Sequence, residues 1–419
     1  MDSSSPPLSK LQRHGLPELP SDWQWVRFSD ICERVSVGHV GPTVEYFRDR
    51  ADGIRFLRSQ NVRPGRLDLE TATAIAPEFH QKLKKSKLQG GDILFVRVGA
   101  NRGDCCVVPE GLGELNCANI VFARPKHRTG FHAYFFQSDL GQSLLLSASV
   151  GAAQGVINTS SVASMPVPLP PLPVQRRIAG ILSAYDALME NSQRRIRLLE
   201  AMARALYREW FVHFRFPGHE KHPRVASPLG DIPQGWEVKT VKDVAAVTYG
   251  FPFASKKFNT DGIGTPVIRI RDILDGSINT FTDEEADAKY HIKNGDILVG
   301  MDGHFHMCIW SSGHAFQNQR VAKFESNGKI GNYHLFLALE LPIQTWNKSI
   351  VGTTVAHLGD MHIKTIQIAW PPSKILAKAK EILEPMSQQI IALKRQIQNL
   401  RRTRDLLLPR LLSGQVSLL

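Results

Sequence analysis

Cysteine is scarce in this chain: five in 419 residues, an odd number, with no CxxC pair among them. That excludes a disulfide scaffold and a structural zinc knuckle, and it fits a reducing cytoplasm. No run of eighteen apolar residues occurs, so no spanning helix is expected. The opening MDSSSPPLSK lacks the basic-then-apolar pattern of a secretory signal. There is no GxxxxGK[ST] loop to cradle the phosphates of ATP. Gly111-Leu112-Gly113 lacks the third glycine and the following helix of a dinucleotide site. Leu169-Pro170-Pro171-Leu172 and Trp370-Pro371-Pro372-Ser373 keep the prolines of an adenine-methylating motif but not its flanking polar and aromatic groups. They read as stiff starts to helices.

What the chain has in excess is positive charge, a formal +12 with a pI near 9.5. An anionic partner is implied, nucleic acid before a membrane surface. Hydrophobic residues make up 42%, enough for packed cores, and the length calls for two or three domains.

The chain also repeats itself. Leu19-Pro20-Ser21-Asp22-Trp23 returns as Ile232-Pro233-Gln234-Gly235-Trp236, and Phe56-Leu57-Arg58 as Val267-Ile268-Arg269. Gly91-Asp92-Ile93-Leu94 returns as Gly295-Asp296-Ile297-Leu298, Val150-Gly151-Ala152-Ala153 as Val351-Gly352-Thr353-Thr354, and Pro170-Pro171 as Pro371-Pro372. The order is kept while the offset shrinks from 213 to 201 residues, as small loop deletions produce. A domain-sized period means one duplicated two-part unit. Each copy opens with short β-like runs: Ile54–Leu57, Asp92–Val98 and Ile120–Ala123, then Pro266–Ile270, Asp296–Gly300 and Arg320–Phe324. Each closes with apolar residues spaced alternately three and four apart, Ser192 being the one polar member. The first stripe runs Ile178, Ile181, Tyr185, Leu188, Ser192, Ile196, Leu199, Met202, Leu206, Trp210. The second runs Ile375, Ala379, Ile382, Met386, Ile390, Leu393, Ile397, Leu400, Leu407. Sustained heptads predict long helices that pair antiparallel, each roughly 50 Å at ~1.5 Å per residue, with Pro385 marking a kink or a late start.

The expected fold class is α+β: two pseudo-repeated mixed domains with twisted sheets, separated by two long antiparallel coiled-coil helices. The expected division is a flexible tail at 1–18, a first mixed domain at 19–170, a long helix at 171–216, a linker at 217–230, a second mixed domain at 231–370, and a closing helix and tail at 371–419. Charge follows this division. Residues 175–216 carry eight Arg against four acidic residues, and 373–412 carry nine Lys+Arg against three, which leaves the mixed domains near neutral.

Chemistry-bearing clusters are few. Asp231, Glu237 and Lys239 form a D-x5-E-x-K string of the kind that holds a metal beside a lysine, but its repeat counterpart has neither Glu nor Lys. His304, His306 and His314 lack the Cys or carboxylate that would complete a metal set. The side chains left are those suited to reading bases. In the first copy these are Arg55, Arg58, Ser59, Gln60 and Asn61, then Arg97, Asn101 and Arg102, then Gln154. In the second they are Arg269, Arg271 and Asp272, then Asp302, His304 and His306, then Gln317, Asn318, Gln319 and Arg320, then Thr353, Thr354 and His357. They fall at equivalent points and differ in identity, as two copies of one scaffold reading different sequences would.

The run Pro170-Pro171-Leu172-Pro173-Val174-Gln175-Arg176-Arg177-Ile178-Ala179, the segment Trp210-Phe211-Val212-His213-Phe214-Arg215-Phe216-Pro217-Gly218 and the terminal Leu406-Leu407-Leu408-Pro409-Arg410-Leu411-Leu412-Ser413-Gly414 carry a resemblance. With Ile232-Pro233-Gln234-Gly235-Trp236, both GDIL segments and Gly151-Ala152-Ala153-Gln154-Gly155, the chain resembles the specificity subunits of Type I restriction-modification systems over nearly its whole length. One departure is Pro371-Pro372-Ser373-Lys374-Ile375-Leu376, which lacks the usual Gln-Arg-Arg. The resemblance implies a non-catalytic, cytoplasmic protein whose two target recognition domains each read half of a bipartite, asymmetric duplex site. It implies helices that set the spacer and dock two modification subunits, through Ile178, Ile181, Tyr185, Leu199, Leu206, Ile382, Leu393, Ile397 and Leu400. No cofactor is expected in this chain. S-adenosylmethionine for DNA methylation would belong to the modification subunits, and ATP and Mg²⁺ to restriction subunits where present. Two other classes stay open on the residues alone: a self-sufficient DNA-cleaving enzyme, and a coiled-coil adaptor without DNA readout.

Overall fold

The computed structural model describes residues 15–148, 155–349 and 357–416. Two compact units result, one formed by 1–187 with 401–419 and the other by 188–400, so the division falls inside the long helices.

Within the first unit, the GDIL strand Ile93–Val96 lies between Cys105–Val107 and Ile120–Pro125, and Cys32–Val37 completes a four-stranded sheet. A second sheet orders Phe47–Arg48, Thr73–Ile75, Ile54–Leu57, Leu115–Cys117 and Lys87–Leu88, with its one parallel pairing between Ile54–Leu57 and Leu115–Cys117. The second unit builds the same two sheets strand for strand. Its four-stranded sheet orders Ala245–Tyr249, Val321–Ser326, Ile297–Gly300 and Met307–Ile309. Its five-stranded sheet orders Phe258–Asn259, Phe281–Thr282, Thr265–Ile268, Ala315–Gln317 and His291–Ile292, again parallel only between the third and fourth. Ile93–Val96 and Ile297–Gly300 are buried at every residue, which is why these two runs are apolar throughout rather than alternating.

All six β-like runs form strands. A pair with no signal in the sequence also appears: Gln24–Arg27 with Pro166–Leu169, and its counterpart Glu237–Thr240 with Gln367–Trp370. Pro166 and Pro168 stand two residues apart opposite Arg27 and Trp25, so both missing N–H groups lie on one side of the ladder.

Each ribbon leads directly into a long helix, Leu172–Tyr207 and Ser373–Leu412. The two begin alike. The Pro171 carbonyl accepts from the Val174 and Gln175 amides, and the Pro372 carbonyl from Ile375 and Leu376. Gln175 is buried and ties its amide to the Pro170 carbonyl at 2.9 Å and to the Thr129 hydroxyl at 3.2 Å. Leu376 occupies the equivalent place as an apolar plug, which accounts for the departure noted in that motif. Pro385 lies within the second helix, which starts at Ser373, so the expected late start is corrected.

The buried seam of the first helix is Gln175, Ile178, Leu182, Tyr185, Met189, Ser192, Ile196, Leu199, Ala203, Leu206 and Trp210, every member buried or half-buried. Leu182, Met189 and Ala203 replace the Ile181, Leu188 and Met202 taken from the spacing. Leu188 and Met202 are 50% and 55% exposed. The second seam repeats the first at a constant offset of 201: Leu376, Ala379, Leu383, Met386, Ile390, Leu393, Ile397, Leu400, Arg404, Leu407 and Leu411. Leu383 takes the place given to Ile382, which faces outward.

In the first unit the beginning of the first helix packs with the end of the second, Ile178 and Leu182 sharing a core with Leu411 and Leu412. In the second unit Ile196 and Ala203 share a core with Leu383, Ile390 and Leu393. The pairing is antiparallel, and each helix packs on its own domain as well. Ile178, Leu393 and Ile397 are therefore consumed inside the chain and present no surface to a partner, a correction to their expected docking role.

Candidate nucleic-acid interface

Strand Ile54–Leu57 and its counterpart Thr265–Ile268 each lead into a short 3-10 turn whose third residue closes it. Asn61 in the first unit accepts the Arg58 amide at 2.8 Å, and Asp272 in the second accepts the Arg269 amide at 2.9 Å. Asn61 is fully buried and also donates to the Asp68 carbonyl and the Thr71 hydroxyl, both at 3.1 Å. Asp272 is buried as well, and burial raises its carboxyl above the ordinary value. Both hold the turn from inside and are closed off from a base by burial. Gln317 is likewise buried, donating to the Thr248 and Val321 carbonyls at 2.7 and 2.6 Å. These three leave the set of direct readers, because a side chain that satisfies a base edge satisfies a backbone edge equally well.

The turns they lock present what precedes them. The Arg58 guanidinium lies over the Phe47 ring at 5.6 Å, and Arg269 lies over Phe258 at 5.9 Å. The two pairs are equivalent, each Phe eleven residues before its Arg. Stacking holds a guanidinium by its face and leaves its fork free for a planar acceptor. Spacing of this aromatic to the arginine was the available signal for Phe47 and Phe258, and sequence reasoning missed it. Around them, Arg55, Gln60 and Arg271 are exposed. The Ser59 hydroxyl reaches the Asn119 carbonyl at 3.3 Å, and Arg271 reaches the Thr280 hydroxyl at 3.2 Å.

The loop after each GDIL strand gathers the next set. In the first unit Arg97 donates to the Ile157 carbonyl at 3.3 Å and Arg102 to the Gly155 carbonyl, with Asn101 exposed beside them. In the second unit Asp302 accepts from His357 Nδ1 at 2.6 Å and pairs with Arg320 Nε at 3.2 Å. The His304 and His306 rings lie 5.8 Å apart, tilted by 37°, and burial lowers the His306 imidazole below its ordinary value. Asn318 is half-buried and Gln319 exposed. Equivalent loops thus carry cationic groups in one unit and a carboxylate held by an arginine and a histidine in the other. Gln154, Thr353 and Thr354 lie outside the described residues.

The GDIL aspartates are not readers but anchors. Asp92 is fully buried and receives Arg124 through two bonds of 2.8 Å and the Gln89 amide at 2.8 Å. Asp296 receives the Lys293 amide at 2.9 Å.

Glu237 and Lys239 of the nuclease-like string lie on the ribbon strand, 3.1 Å from each other, with Lys239 over the Trp370 ring at 5.1 Å. Among the described residues no group of three or more His, Cys, Asp or Glu is placed to hold a metal. All five cysteines are free, and burial pushes the thiols of Cys32, Cys106 and Cys308 up to about 12. Among the described residues no helix is long and apolar enough to cross a membrane.

Two repeated α/β domains, each closed by a long helix and each gathering polar side chains at the same loops, define a class of tandem-domain proteins. The chain belongs to the Type I restriction modification DNA specificity domain family, whose sequence model matches residues 20–201 and again 233–401. It is 26% identical over 302 residues to the Type I restriction enzyme MjaIX specificity subunit of Methanocaldococcus jannaschii, covering 68% of each chain. It is 24% identical over 424 residues to the MjaVIII specificity subunit of the same organism, covering 97% of this chain and 95% of that one. The crystal structure of the Type-I restriction-modification system S subunit from M. genitalium has the same fold, with a TM-score of 0.61 at 16% identity over 94% of this chain and 98% of that one.

Proposed function

We propose that this chain is the DNA-addressing subunit of a Type I restriction-modification complex. Each domain reads one half of a bipartite site, and the paired helices fix the spacer and carry the modification subunits. The observation that supports this most is the pair of stacked arginines, Arg58 on Phe47 and Arg269 on Phe258. They stand at the same point of two identical scaffolds whose neighbouring loops differ. One scaffold used twice with different loop chemistry is what an asymmetric target requires. The chain does no chemistry of its own in this reading. S-adenosylmethionine, ATP and Mg²⁺ act in the partner subunits, in the cytoplasm. Docking falls to outward apolar side chains of the helices such as Leu188, Leu198, Met202, Ile382 and Leu406.

The test is half-site selectivity of the complex with its modification subunits. Arg269→Ala should relax discrimination at one position of one half-site by about 1–3 kcal/mol and leave the other half unchanged. Arg58→Ala should do the same to the opposite half. Competition binding against duplexes randomised in one half at a time reads both. Equal loss at both halves, or no bipartite preference in the unsubstituted complex, would overturn the proposal.

A further inference from the structure

The first unit contains a cleft of about 600 Å³ where strand Ile120–Pro125 runs out beside the first long helix. Lys126, His127, Arg128 and Arg176 line it, with the hydroxyl groups of Thr129 and Ser183, and no carboxylate is among its lining residues. Arg128 is held in place by the Gly90 carbonyl and Gln89 Oε1, both at 2.9 Å, and Lys126 by the Asp30 carbonyl at 2.8 Å. Asp186, one helical turn beyond Ser183, has its charge taken up by Arg404 at 2.7 Å. Gathering like charges around a concavity is unfavourable unless an anion joins them.

The second unit shows what fills this place. Gly130 and Gly331 are equivalent, as are Ser183 and Glu384, at the same offset of 201 that relates the two helices. The Glu384 side chain reaches Gly331 so closely that a Cβ there would meet its carboxylate, and one of its oxygens is buried without a hydrogen-bond partner. In the first unit the nearest atom to a Cβ on Gly130 is Ala179 Cβ, at 3.8 Å. The cations differ too. Asn327 stands for Lys126, Gly328 for His127 and Ala377 for Arg176, while Lys329 keeps the charge of Arg128 and Lys380 stands for Ala179. One copy therefore has a built-in carboxylate beside two lysines, and the other has Lys126, Arg128 and Arg176 around an open space.

We propose that this cleft is a binding site for the anionic group, phosphate or carboxylate, of a small ligand. A volume of this size suits such a molecule. It is not a second DNA contact. Ile120 pairs with Val96 and Ala123 with Ile93, so Lys126 lies at the opposite end of the sheet from Arg97 and the candidate reading loops. Arg176 supplies a forked donor, Arg128 and Lys126 supply fixed positive charge, and Ser183 leaves the room.

Calorimetric titration of the full chain with inorganic phosphate, a nucleoside 5′-monophosphate and succinate tests this, each arm reporting one source of the anion. Saturable binding at one site per chain is expected for at least one of them. Arg176→Ala should weaken it about tenfold, the equivalent of ~1.4 kcal/mol. Ser183→Glu, which copies the plug of the second unit, should abolish it, while Ser183→Ala retains it. Thermal melting of each variant verifies folding. Absence of saturable binding to all three anions overturns the proposal, as does unaltered binding in both Arg176→Ala and Ser183→Glu. Displacement of the anion by duplex DNA, or by an acidic segment of the modification subunit, would assign the cleft to a macromolecule and also overturn it. Half-site selectivity is unaffected under each of these outcomes, so the DNA reading stands or falls separately.

Discussion

The same aspartate opens the same strand in both units, yet the two are neutralised differently. Asp92 is clasped by Arg124, whose side chain is 12% exposed, through two short charge-assisted bonds. Asp296 forms no ion pair among the described residues, and burial raises its carboxyl above the ordinary value. The nearby buried Lys323 instead turns its ammonium to the carbonyls of Lys289 and His291, at 3.1 and 2.8 Å. One backbone solution, an aspartate locking the turn before a buried strand, is thus compatible with two electrostatic ones. What the duplication preserved is the hydrogen bond that the side chain accepts from the amide three residues before it. What it let drift is the counter-charge.

That contrast sets the largest expected effect. Arg124→Ala leaves a fully buried carboxylate without its partner and should destabilise the first unit by about 3–5 kcal/mol. Lys323→Ala removes two bonds to carbonyls and should cost the second unit about 1–2 kcal/mol. Hydrogen exchange read separately over the strands of each unit measures both. Equal losses would show that Asp296 depends on Lys323 as Asp92 depends on Arg124, and the contrast would be void.

Each unit also buries a neutral histidine. Burial lowers both His132 and His334 to about 4. In the unfolded chain they titrate near their ordinary 6.5, so between pH 6.5 and 4 the unfolded state binds more protons and stability falls as the pH falls. The loss should reach about 3 kcal/mol per histidine below pH 4. The two differ in their partners. His132 Nε2 sits 3.1 Å from the Pro168 carbonyl, whereas His334 packs edge-on against Phe211 at 4.3 Å. His334→Phe should therefore flatten the acid limb of the second unit without cost at pH 7. His132→Phe should flatten that of the first and cost it about 1 kcal/mol at neutral pH. Denaturant midpoints against pH separate these outcomes, and an unchanged acid limb in either variant would place the titrating group elsewhere.

The sheets were legible in the sequence because burial on both faces makes Ile93–Val96 and Ile297–Gly300 continuous apolar runs, and because the repeat supplies each run twice. The phase of the helices was less so. Ile181 and Leu182, Leu188 and Met189, and Ile382 and Leu383 are adjacent apolar pairs, and three-four spacing accepts either member. Alignment of the two copies at 201 favours one choice, since Leu188 and Met202 fall opposite Gln389 and Thr403 whereas Leu182 and Met189 fall opposite Leu383 and Ile390. Asn61, Asp272 and Gln317 were not legible as buried, because their residue types are chosen by any hydrogen-bonding edge, peptide or base. The ribbon strand Pro166–Leu169 was hidden by its prolines, which are tolerated only because both fall on one side of the ladder.

The smallest expected effect lies on the helix seam. At the same offset, the first helix has Ala203 and the second Arg404, a charged side chain in a place otherwise taken by apolar groups. Arg404 reaches Asp186 at 2.7 Å, and Tyr134 donates its hydroxyl to the same carboxylate at 2.7 Å. In the second unit Lys394 approaches Glu200 only to 3.9 Å. The first contact is a hydrogen-bonded, half-buried network. The second is a loose pair of similar exposure, 3.9 Å apart, whose two long side chains lose entropy to meet. Arg404→Leu should therefore destabilise the first unit by about 1 kcal/mol, since Asp186 keeps the tyrosine but loses its cation. Lys394→Leu should change the second unit by no more than about 0.5 kcal/mol. Raising the salt from low to molar concentration should shrink the Lys394 effect to nothing and leave part of the Arg404 effect, because screening weakens the attraction across 3.9 Å while the 2.7 Å hydrogen bonds at Asp186 persist. A salt-insensitive cost at Lys394 would mean that the seam of the second unit is held by charge after all. The two helices would then be alike in chemistry as well as in phase.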